Sequence, residues 1–224
     1  MQQKELAVNW QSWHENYRDF SPLQARLVEV SRQVAEAIDS MASPHVQILS
    51  LCAGDGRDLL QALSSVQAGK AVDATLIEFD QALVDQGRRA FAAQGWGDSV
   101  RFRCADATLF STYQDLPKVE LVMVCGVFGN VRNEHVQRLI DALPGFCRPG
   151  ARVVWTRSLN EFDDGEAAAD HIRRCFARSG FREAVFARTP EGTFAVGSFI
   201  YEGEQECLPA TGQMFEFSAF WDRH

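Results

Sequence analysis

Apolar residues recur at two different spacings along the chain, and the change of spacing divides it into predicted elements. Between residues 22 and 41 they return every three or four positions, which predicts an amphipathic helix that begins at Ser21-Pro22. From residue 46 onward, short apolar runs alternate with helical stretches. That order is typical of a parallel sheet covered on both faces, so we expect an α/β fold behind an N-terminal helix.

The boundaries of the predicted elements follow from the same pattern. Strands are expected near 46–52, 73–78, 100–104, 119–125 and 151–157, and helices over 58–66, 81–93, 133–143 and 166–179. The last two strand-like runs, 181–188 and 194–201, are separated only by a short turn with Pro190 and Gly192, which predicts an antiparallel hairpin. The sheet should therefore be mostly parallel and end in an antiparallel pair.

Charge and cysteine content narrow the class of partner. The chain of 224 residues has 22 basic and 30 acidic side chains, so its net charge of -8 opposes binding to nucleic acid or an anionic membrane. The six cysteines are scattered singly without metal spacing, and we interpret them as reduced core residues, with no metal site. We expect a small-molecule partner and, from the lack of a leader-like N-terminus, a cytoplasmic location.

A glycine turn follows the first predicted strand. Residues 51–58 read LCAGDGRD, and Gly54 and Gly56 let the backbone turn tightly beside a ligand. The next apolar run ends in Glu78 about twenty residues later, where a carboxylate can reach a ribose diol. This pair of features predicts a nucleotide-type pocket.

The charges in the turn limit which nucleotide fits. Asp55 and Asp58 lie where a pyrophosphate would bind, and Leu59 stands where a dinucleotide fold needs a third small residue. Carboxylates repel phosphates in a partly buried pocket, which disfavours NAD, FAD and ATP. A ligand with a positive centre and no phosphate fits the turn better.

These motifs, with Asp106 after the third predicted strand, resemble the class I S-adenosylmethionine-dependent methyltransferases over residues 46–202. Segments 51–58, 125–130 (CGVFGN) and 149–157 (PGARVVWTR) are similar to a bacterial group of that class with mostly unassigned substrates. The resemblance implies a Rossmann-like, doubly wound sheet of seven strands. We expect a single methyltransferase domain over 1–224, with a helical cap (1–44), a core (45–202) and a C-terminal tail (203–224) packed on the core.

The resemblance also implies S-adenosyl-L-methionine as the cofactor and assigns its contacts. Glu78 would hold the ribose hydroxyls, Phe79 would lie against the adenine, and Asp106 would accept a hydrogen bond from its amino group. A structural role stays open for each of these three, respectively as an exposed glutamate, a packing ring and a cap of the next turn. The implied cofactor contacts are Ala53, Gly54, Asp55, Gly56, Asp58, Glu78, Phe79, Asp106, Ala107, Cys125 and Gly126.

Two positions depart from the pattern of that class. Ser50 stands where an acid is usual, and Cys52 where a glycine is usual. A serine cannot neutralise the cofactor's ammonium group, so we expect Asp55 or Asp58 to do so. The departure also leaves room for a relative that binds the cofactor without reacting.

The function predicted on this basis is methyl transfer to a small molecule, at oxygen or nitrogen. Methyl transfer requires positioning and sometimes a base, for which the candidates are His14 and Tyr17 in the aromatic N-terminal segment and Asn130 after the fourth strand. His135 and His171 are expected to face solvent, and Arg157 to receive an acidic substrate group. The alternatives are aminopropyl transfer and a binding module without catalysis.

Overall fold

A seven-stranded sheet forms the centre of the protein in the computed structural model, which describes residues 21–160 and 164–217 apart from the side chain of residue 133. The strand order is β3-β2-β1-β4-β5-β7-β6, and β7 runs antiparallel to both of its neighbours while β1 to β5 are parallel. The predicted fold class is thereby confirmed. The strands are β1 (His45–Leu51), β2 (Ala71–Glu78), β3 (Val100–Cys104), β4 (Val119–Val124), β5 (Cys147–Ser158), β6 (Phe181–Arg188) and β7 (Phe194–Tyr201).

Helices cover both faces of the sheet, as expected for a mostly parallel sheet. They are α1 (Pro22–Ser40), α2 (Arg57–Leu63), α3 (Gln81–Ala93), α4 (Asn133–Ala142) and α5 (Gly165–Arg178). The first three bury apolar side chains in one core cluster, and the last two do so in the cluster on the opposite face. Within the described residues, no helix combines the length and the apolar character that crossing a bilayer requires.

The first helix begins where the sequence predicted. The Ser21 hydroxyl accepts a hydrogen bond from the Gln24 N–H, and Pro22 occupies the first turn, where its missing N–H costs nothing. The predicted apolar stripe is buried, but the same face also buries the charged side chain of Arg26. A charge on the buried face of a helix requires a partner, and that partner lies at the candidate site.

Some predicted boundaries differ from the structure. β5 begins at Cys147 rather than near 151, because Val119 pairs with Cys147 before the register between β4 and β5 shifts. α2 ends at Leu63, earlier than expected, with Ser64 in the C-cap position. The irregular pairing of β4 with β5 leaves no periodic pattern in the sequence, so the start of β5 could not be predicted from it.

The cysteines divide into three groups by burial. All six are free thiols, with Cys147 and Cys175 buried and Cys52 and Cys125 partly buried. The expectation that all six belong to the core was wrong for Cys104, at the exposed end of β3, and for Cys207, in the exposed C-terminal segment. A lone cysteine carries no pattern that distinguishes a strand end from a strand interior.

Candidate functional site

The predicted site residues lie after the carboxyl ends of neighbouring parallel strands. The glycine turn follows β1, Glu78 ends β2, Asp106 follows β3, and Gly126 follows β4. Parallel strands bring these ends to one edge of the sheet, where open α/β sheets bind ligands. The topology therefore groups residues that are far apart in the chain.

The glycine turn is fixed by backbone bonds and by the core beneath it. Ala53 N–H donates to the Ile77 carbonyl at 2.9 Å, which ties the turn to β2. Gly56 has a φ of 74°, and a Cβ built there would lie 2.6 Å from Leu76 Cδ2 and 2.8 Å from Phe91 Cε2. Glycine is thus required at 56 by core packing, in addition to any role beside a ligand.

Glu78 organises the turn as well as presenting a carboxylate to the site. Its Oε2 accepts the Gly54 N–H at 2.8 Å, and its Oε1 accepts the N–H groups of Phe79 at 2.8 Å and Asp80 at 2.9 Å. A carboxylate has about four acceptor positions, so these three bonds leave Oε2 able to accept one more. The side chain is therefore more than an exposed glutamate after a strand.

Phe79 is the most exposed of the large apolar side chains that the structure describes, at 76%. It follows Glu78 at the sheet edge, and its carbonyl lies 3.3 Å from the thiol of Cys104 at the end of β3. An exposed ring beside polar groups presents a face on which a flat ligand can stack. The structure does not support the alternative that this ring packs in the core.

Asp106 caps a turn through one oxygen only. Its Oδ1 accepts the Thr108 N–H at 2.8 Å, while Oδ2 has no hydrogen bond to any residue the structure describes. The Ala107 carbonyl accepts the Tyr113 hydroxyl at 2.7 Å, and burial raises the pKa of Tyr113, which keeps that hydroxyl protonated. Asp106 can therefore cap the turn through Oδ1 and still accept a hydrogen bond from an adenine amino group through Oδ2.

Asp55 is directed towards the helix side of the turn. Its Oδ2 accepts Arg57 Nη2 at 2.6 Å and Gln86 Nε2 at 3.0 Å, and its side chain is buried. Asp55 thus bonds to one residue of α2 and to one residue of α3.

Asp58 is paired with an arginine from α1. Arg26 Nη2 donates to Asp58 Oδ2 at 2.9 Å, and the two side chains are 4% and 16% exposed. Arg26 Nε also lies 3.4 Å from Thr156 Oγ1, which in turn accepts the Gly126 N–H at 2.8 Å. Both turn acids thus have arginine partners, so the acidic character inferred from the sequence is largely balanced.

Arg26 and Thr156 were missed in the sequence analysis. The available signal was the position of Arg26, four residues before Val30 on the apolar face of the predicted helix. A charge at such a position predicts a buried partner, although the sequence does not say which one. Thr156 lies inside an apolar strand run, and nothing in its spacing distinguishes it from a packing residue.

The residues that were expected to act on the methyl acceptor differ in where the structure places them. Asn130 Nδ2 donates to the Gly126 carbonyl at 2.8 Å, which gives the side chain a role in shaping the loop after β4. Arg157 is buried and donates to the Phe128 carbonyl at 3.3 Å, and its role towards an acidic substrate group stays a prediction. His14 and Tyr17 lie outside the described residues.

Residues 212–217, which we term the C-terminal strap, run along the edge of the sheet where the parallel strands have their carboxyl ends. The Phe110 N–H donates to the Gly212 carbonyl at 3.0 Å, and the Met214 N–H donates to the Thr108 carbonyl at 2.7 Å. These two bonds join the strap to the segment after β3. At its other end, Phe217 bridges to Val131 in the loop after β4. The strap thus links the loop that contains Asp106 to the loop that precedes α4.

His135 anchors the same strap. Its Nδ1 accepts the Glu216 N–H at 3.0 Å, and the residue is buried. The expectation that His135 faces solvent was therefore wrong, because its helix is covered by a segment whose Glu216 lies 81 residues further along the chain. His171 is partly buried near Cys175 on α5.

The sheet order, the glycine turn and the acid at the end of β2 define a class I S-adenosylmethionine-dependent methyltransferase. A family described as "Putative methyltransferase" (Methyltransf_20) matches residues 18–159, more than half of the chain. The chain belongs to that methyltransferase family. No curated protein sequence matches it.

Solved structures show the same fold at low sequence identity. Magnesium protoporphyrin IX methyltransferase from Synechocystis PCC 6803, with bound SAM, is 15% identical over 87% of this chain and 91% of its own, with a TM-score of 0.65. Ribosomal protein L11 methylase from Lactobacillus delbrueckii subsp. bulgaricus is 13% identical over 80% of each chain, with a TM-score of 0.58. A protein from Escherichia coli described as "Putative methyltransferase yhhF" is 21% identical over 78% of this chain and 86% of its own, with a TM-score of 0.55.

Proposed function

We propose that this methyltransferase acts on a small-molecule acceptor, at oxygen or nitrogen, with the cofactor held along the edge formed by β1 to β4. The observation that carries the proposal is the Glu78 carboxylate, bonded to the glycine turn through Gly54 and flanked by the exposed ring of Phe79. Of the solved structures with this fold, one is named for a porphyrin substrate and one for a ribosomal protein. The fold alone therefore does not identify the methyl acceptor. The net charge of -8 favours a small molecule over nucleic acid.

The residues present fit an adenosine group. Glu78 Oε2 keeps an acceptor position for a ribose hydroxyl, and Asp106 Oδ2 is available for an amino group within the described part of the chain. Phe79 offers an aromatic face, and base stacking on such a face is sequence-tolerant and favourable. Ala53, Gly54, Ala107, Cys125 and Gly126 stay as proposed contacts through their backbone or small side chains.

When bound, S-adenosylmethionine supplies a methyl group attached to a positively charged sulfur. The protein then has to orient the acceptor and exclude water, and no covalent intermediate with the chain is needed. Gly126, with a φ of 77°, lets the chain after β4 pass close to the ligand, and Asn130 braces that loop. We propose that His14, Tyr17 or Asn130 supplies the proton acceptor or the group that orients the methyl acceptor.

We place the acceptor beside the C-terminal strap. Leu109 and Phe217 are both exposed there, and each belongs to a bridge that involves the strap. These two apolar side chains suit an acceptor with a hydrophobic body that presents one oxygen or nitrogen. Aminopropyl transfer would need several unpaired acids around a cationic acceptor, whereas Asp55 and Asp58 are both paired with arginines.

Calorimetric binding of S-adenosylhomocysteine tests the proposed cofactor site. Wild-type protein should bind it, and Glu78→Ala should weaken binding by about 1–3 kcal/mol because a charge-assisted hydrogen bond is lost. Glu166→Ala is the matched control, since Glu166 is an exposed acid in a surface pair on α5. The proposal is wrong if the wild type shows no heat of binding or if both variants lose affinity equally.

Turnover against pooled metabolites tests the choice between an enzyme with a small-molecule acceptor and a binding module. We expect release of S-adenosylhomocysteine in at least one acceptor pool, detected by its enzymatic conversion to homocysteine. Cofactor binding without turnover in every pool, together with methylation of a protein or RNA fraction, would contradict the small-molecule acceptor. Binding without any turnover would favour the module.

A further inference from the structure

The segment that carries Asp106 is bonded to the C-terminal strap as in a short antiparallel ladder. Leu109 pairs with Gln213 in an antiparallel bridge, and the Met214 N–H donates to the Thr108 carbonyl at 2.7 Å. Backbone bonds of this kind hold two segments in one register. The conformation of the chain after β3 therefore depends on a segment 105 positions further on.

Gln213 adds a side-chain bond to this backbone pairing. Its Nε2 donates to Thr108 Oγ1 at 3.1 Å, and Thr108 is 5% exposed. On the other side of the strap, the Gln213 carbonyl accepts Arg138 Nη2 of α4 at 2.8 Å. Gln213 is thus held by α4 and itself holds Thr108.

Thr108 in turn sets the direction of the Asp106 carboxylate. Its N–H donates to Asp106 Oδ1 at 2.8 Å, and Oδ2 is the oxygen that the proposed function assigns to the adenine amino group. A carboxylate held through one oxygen presents the other in a fixed direction, and such geometry depends on supporting bonds. The Thr108 carbonyl and hydroxyl are both bonded to the strap, so the strap supplies that support.

We propose that Gln213 is a positioning residue for the cofactor, because its bond to Thr108 keeps the Asp106 carboxylate directed at the adenine amino group. This inference rests on the proposed cofactor site and extends it to the C-terminal strap. The alternative is that the strap only covers the core, since Met214 and Phe215 are 1% and 0% exposed. The two differ in whether a change at Gln213 alters the selectivity of the site or only the stability of the fold.

The test measures the affinity of two probes by calorimetry, S-adenosylhomocysteine and S-inosylhomocysteine. The second probe has hypoxanthine in place of adenine, so a carbonyl oxygen stands where the amino donor was. Wild type should prefer S-adenosylhomocysteine by about tenfold or more, as expected when a charge-assisted hydrogen bond is replaced by two acceptors that face each other. Gln213→Ala should reduce that preference by about three- to tenfold, mainly by weakening the binding of S-adenosylhomocysteine.

Two substitutions at Thr108 test the same bond from its other side. Thr108→Val keeps nearly the same shape but removes the hydroxyl, and it should reduce the preference as Gln213→Ala does. Thr108→Ser keeps the hydroxyl and should retain the preference of the wild type. Because the two residues share one bond, the double variant Gln213→Ala with Thr108→Val should lose about as much as either single variant.

Leu208→Ala is the matched control for a purely structural effect. Leu208 also belongs to the C-terminal segment and packs against the core, but it lies outside the strap. Its truncation should lower the free energy of unfolding, measured by urea denaturation, and leave the preference between the two probes unchanged. Gln213 is only partly buried, so Gln213→Ala should fold as the wild type does.

The outcomes separate this inference from the proposed function. A Gln213→Ala protein with the preference of the wild type would overturn the inference alone, and so would a Leu208→Ala protein that loses as much preference as Gln213→Ala. Additive losses in the double variant would place the effect outside the bond between Gln213 and Thr108, with the same consequence. A wild type that binds both probes equally would also overturn the inference and leave the site around Glu78 standing. A wild type that binds neither probe would overturn the proposed cofactor site itself.

Discussion

The two ends of the proposed cofactor site are built from different kinds of contact. At the adenosine end, the carboxylates of Glu78 and Asp106 accept N–H groups of their own or a neighbouring loop. At the other end, which we term the methionine end because Asp58 is expected to face the cofactor's ammonium group, Arg26 reaches Asp58 across 32 positions of sequence and Thr156 across 130. One end is thus built from side chains that accept backbone N–H groups, and the other from side chains that bond to one another.

This difference has consequences for stability and for binding. At the adenosine end, Phe79 contributes little to folding because its ring is exposed. The methionine end uses buried charges, whose loss affects both the fold and the ligand. Substitutions should therefore separate folding from binding at the first end and combine them at the second.

Gly56→Ala should have the largest effect, because it overpacks the core beneath the glycine turn. A Cβ there would meet Leu76 and Phe91 at 2.6 and 2.8 Å, and the left-handed backbone adds strain. We expect a loss of about 2–5 kcal/mol in the free energy of unfolding, from overpacking and strain together. Gly69→Ala is the control, since its φ of 98° is also left-handed but nothing lies within 4 Å. Equal losses in urea denaturation would contradict the packing argument.

Asp58→Ala should rank second, because it leaves the Arg26 guanidinium buried beside the methionine end without its carboxylate. Breaking a buried pair costs about 3–5 kcal/mol, and the partial exposure of Asp58 and the Thr156 contact reduce our expectation to about 2–3 kcal/mol. The exposed pair of Arg188 and Glu166 gives the comparison, for which Glu166→Ala should cost about 0–1 kcal/mol. Chemical denaturation of both variants measures the difference, and similar costs would show that burial does not matter here.

The same contrast explains what could be predicted from the sequence. The alternation of strands with helices, the terminal hairpin and the acid at the end of β2 follow from periodicity, turn residues and the fixed geometry of parallel strands. The roles of Arg26, Thr156 and His135 depend on which elements meet in space. A single sequence contains no period that pairs α1 with β5, or the C-terminal strap with α4.

Phe79→Ala should affect binding but not folding, which would sharpen the distinction between the two ends. The ring is 76% exposed, so we expect the free energy of unfolding to change by no more than about 0.5 kcal/mol. Affinity for S-adenosylhomocysteine should fall by about 1–3 kcal/mol through loss of stacking. Val28→Ala, an exposed apolar side chain on α1, should change neither quantity. Equal affinity in both variants would remove Phe79 from the site.

Differences in the alkylation rates of single cysteines should be the smallest of these effects, and each reports on the surroundings of one thiol. Burial and the carboxylates of Glu78 and Asp106 raise the pKa of Cys52, and burial raises the pKa of Cys125 despite nearby Arg26. The thiolate is the reactive form, so at pH 8 both should react with iodoacetamide far more slowly than exposed Cys104 and Cys207.

Bound S-adenosylhomocysteine then serves to separate the two exposed thiols. Cys104 lies against the Phe79 carbonyl at the adenosine end, whereas Cys207 is in the C-terminal segment away from it. We expect the ligand to slow alkylation of Cys104 and to leave Cys207 unchanged, as measured by mass spectrometry of digested protein. Equal protection of both would indicate a global change rather than a ligand covering the ends of β2 and β3, and no protection of Cys104 would place the adenosine elsewhere.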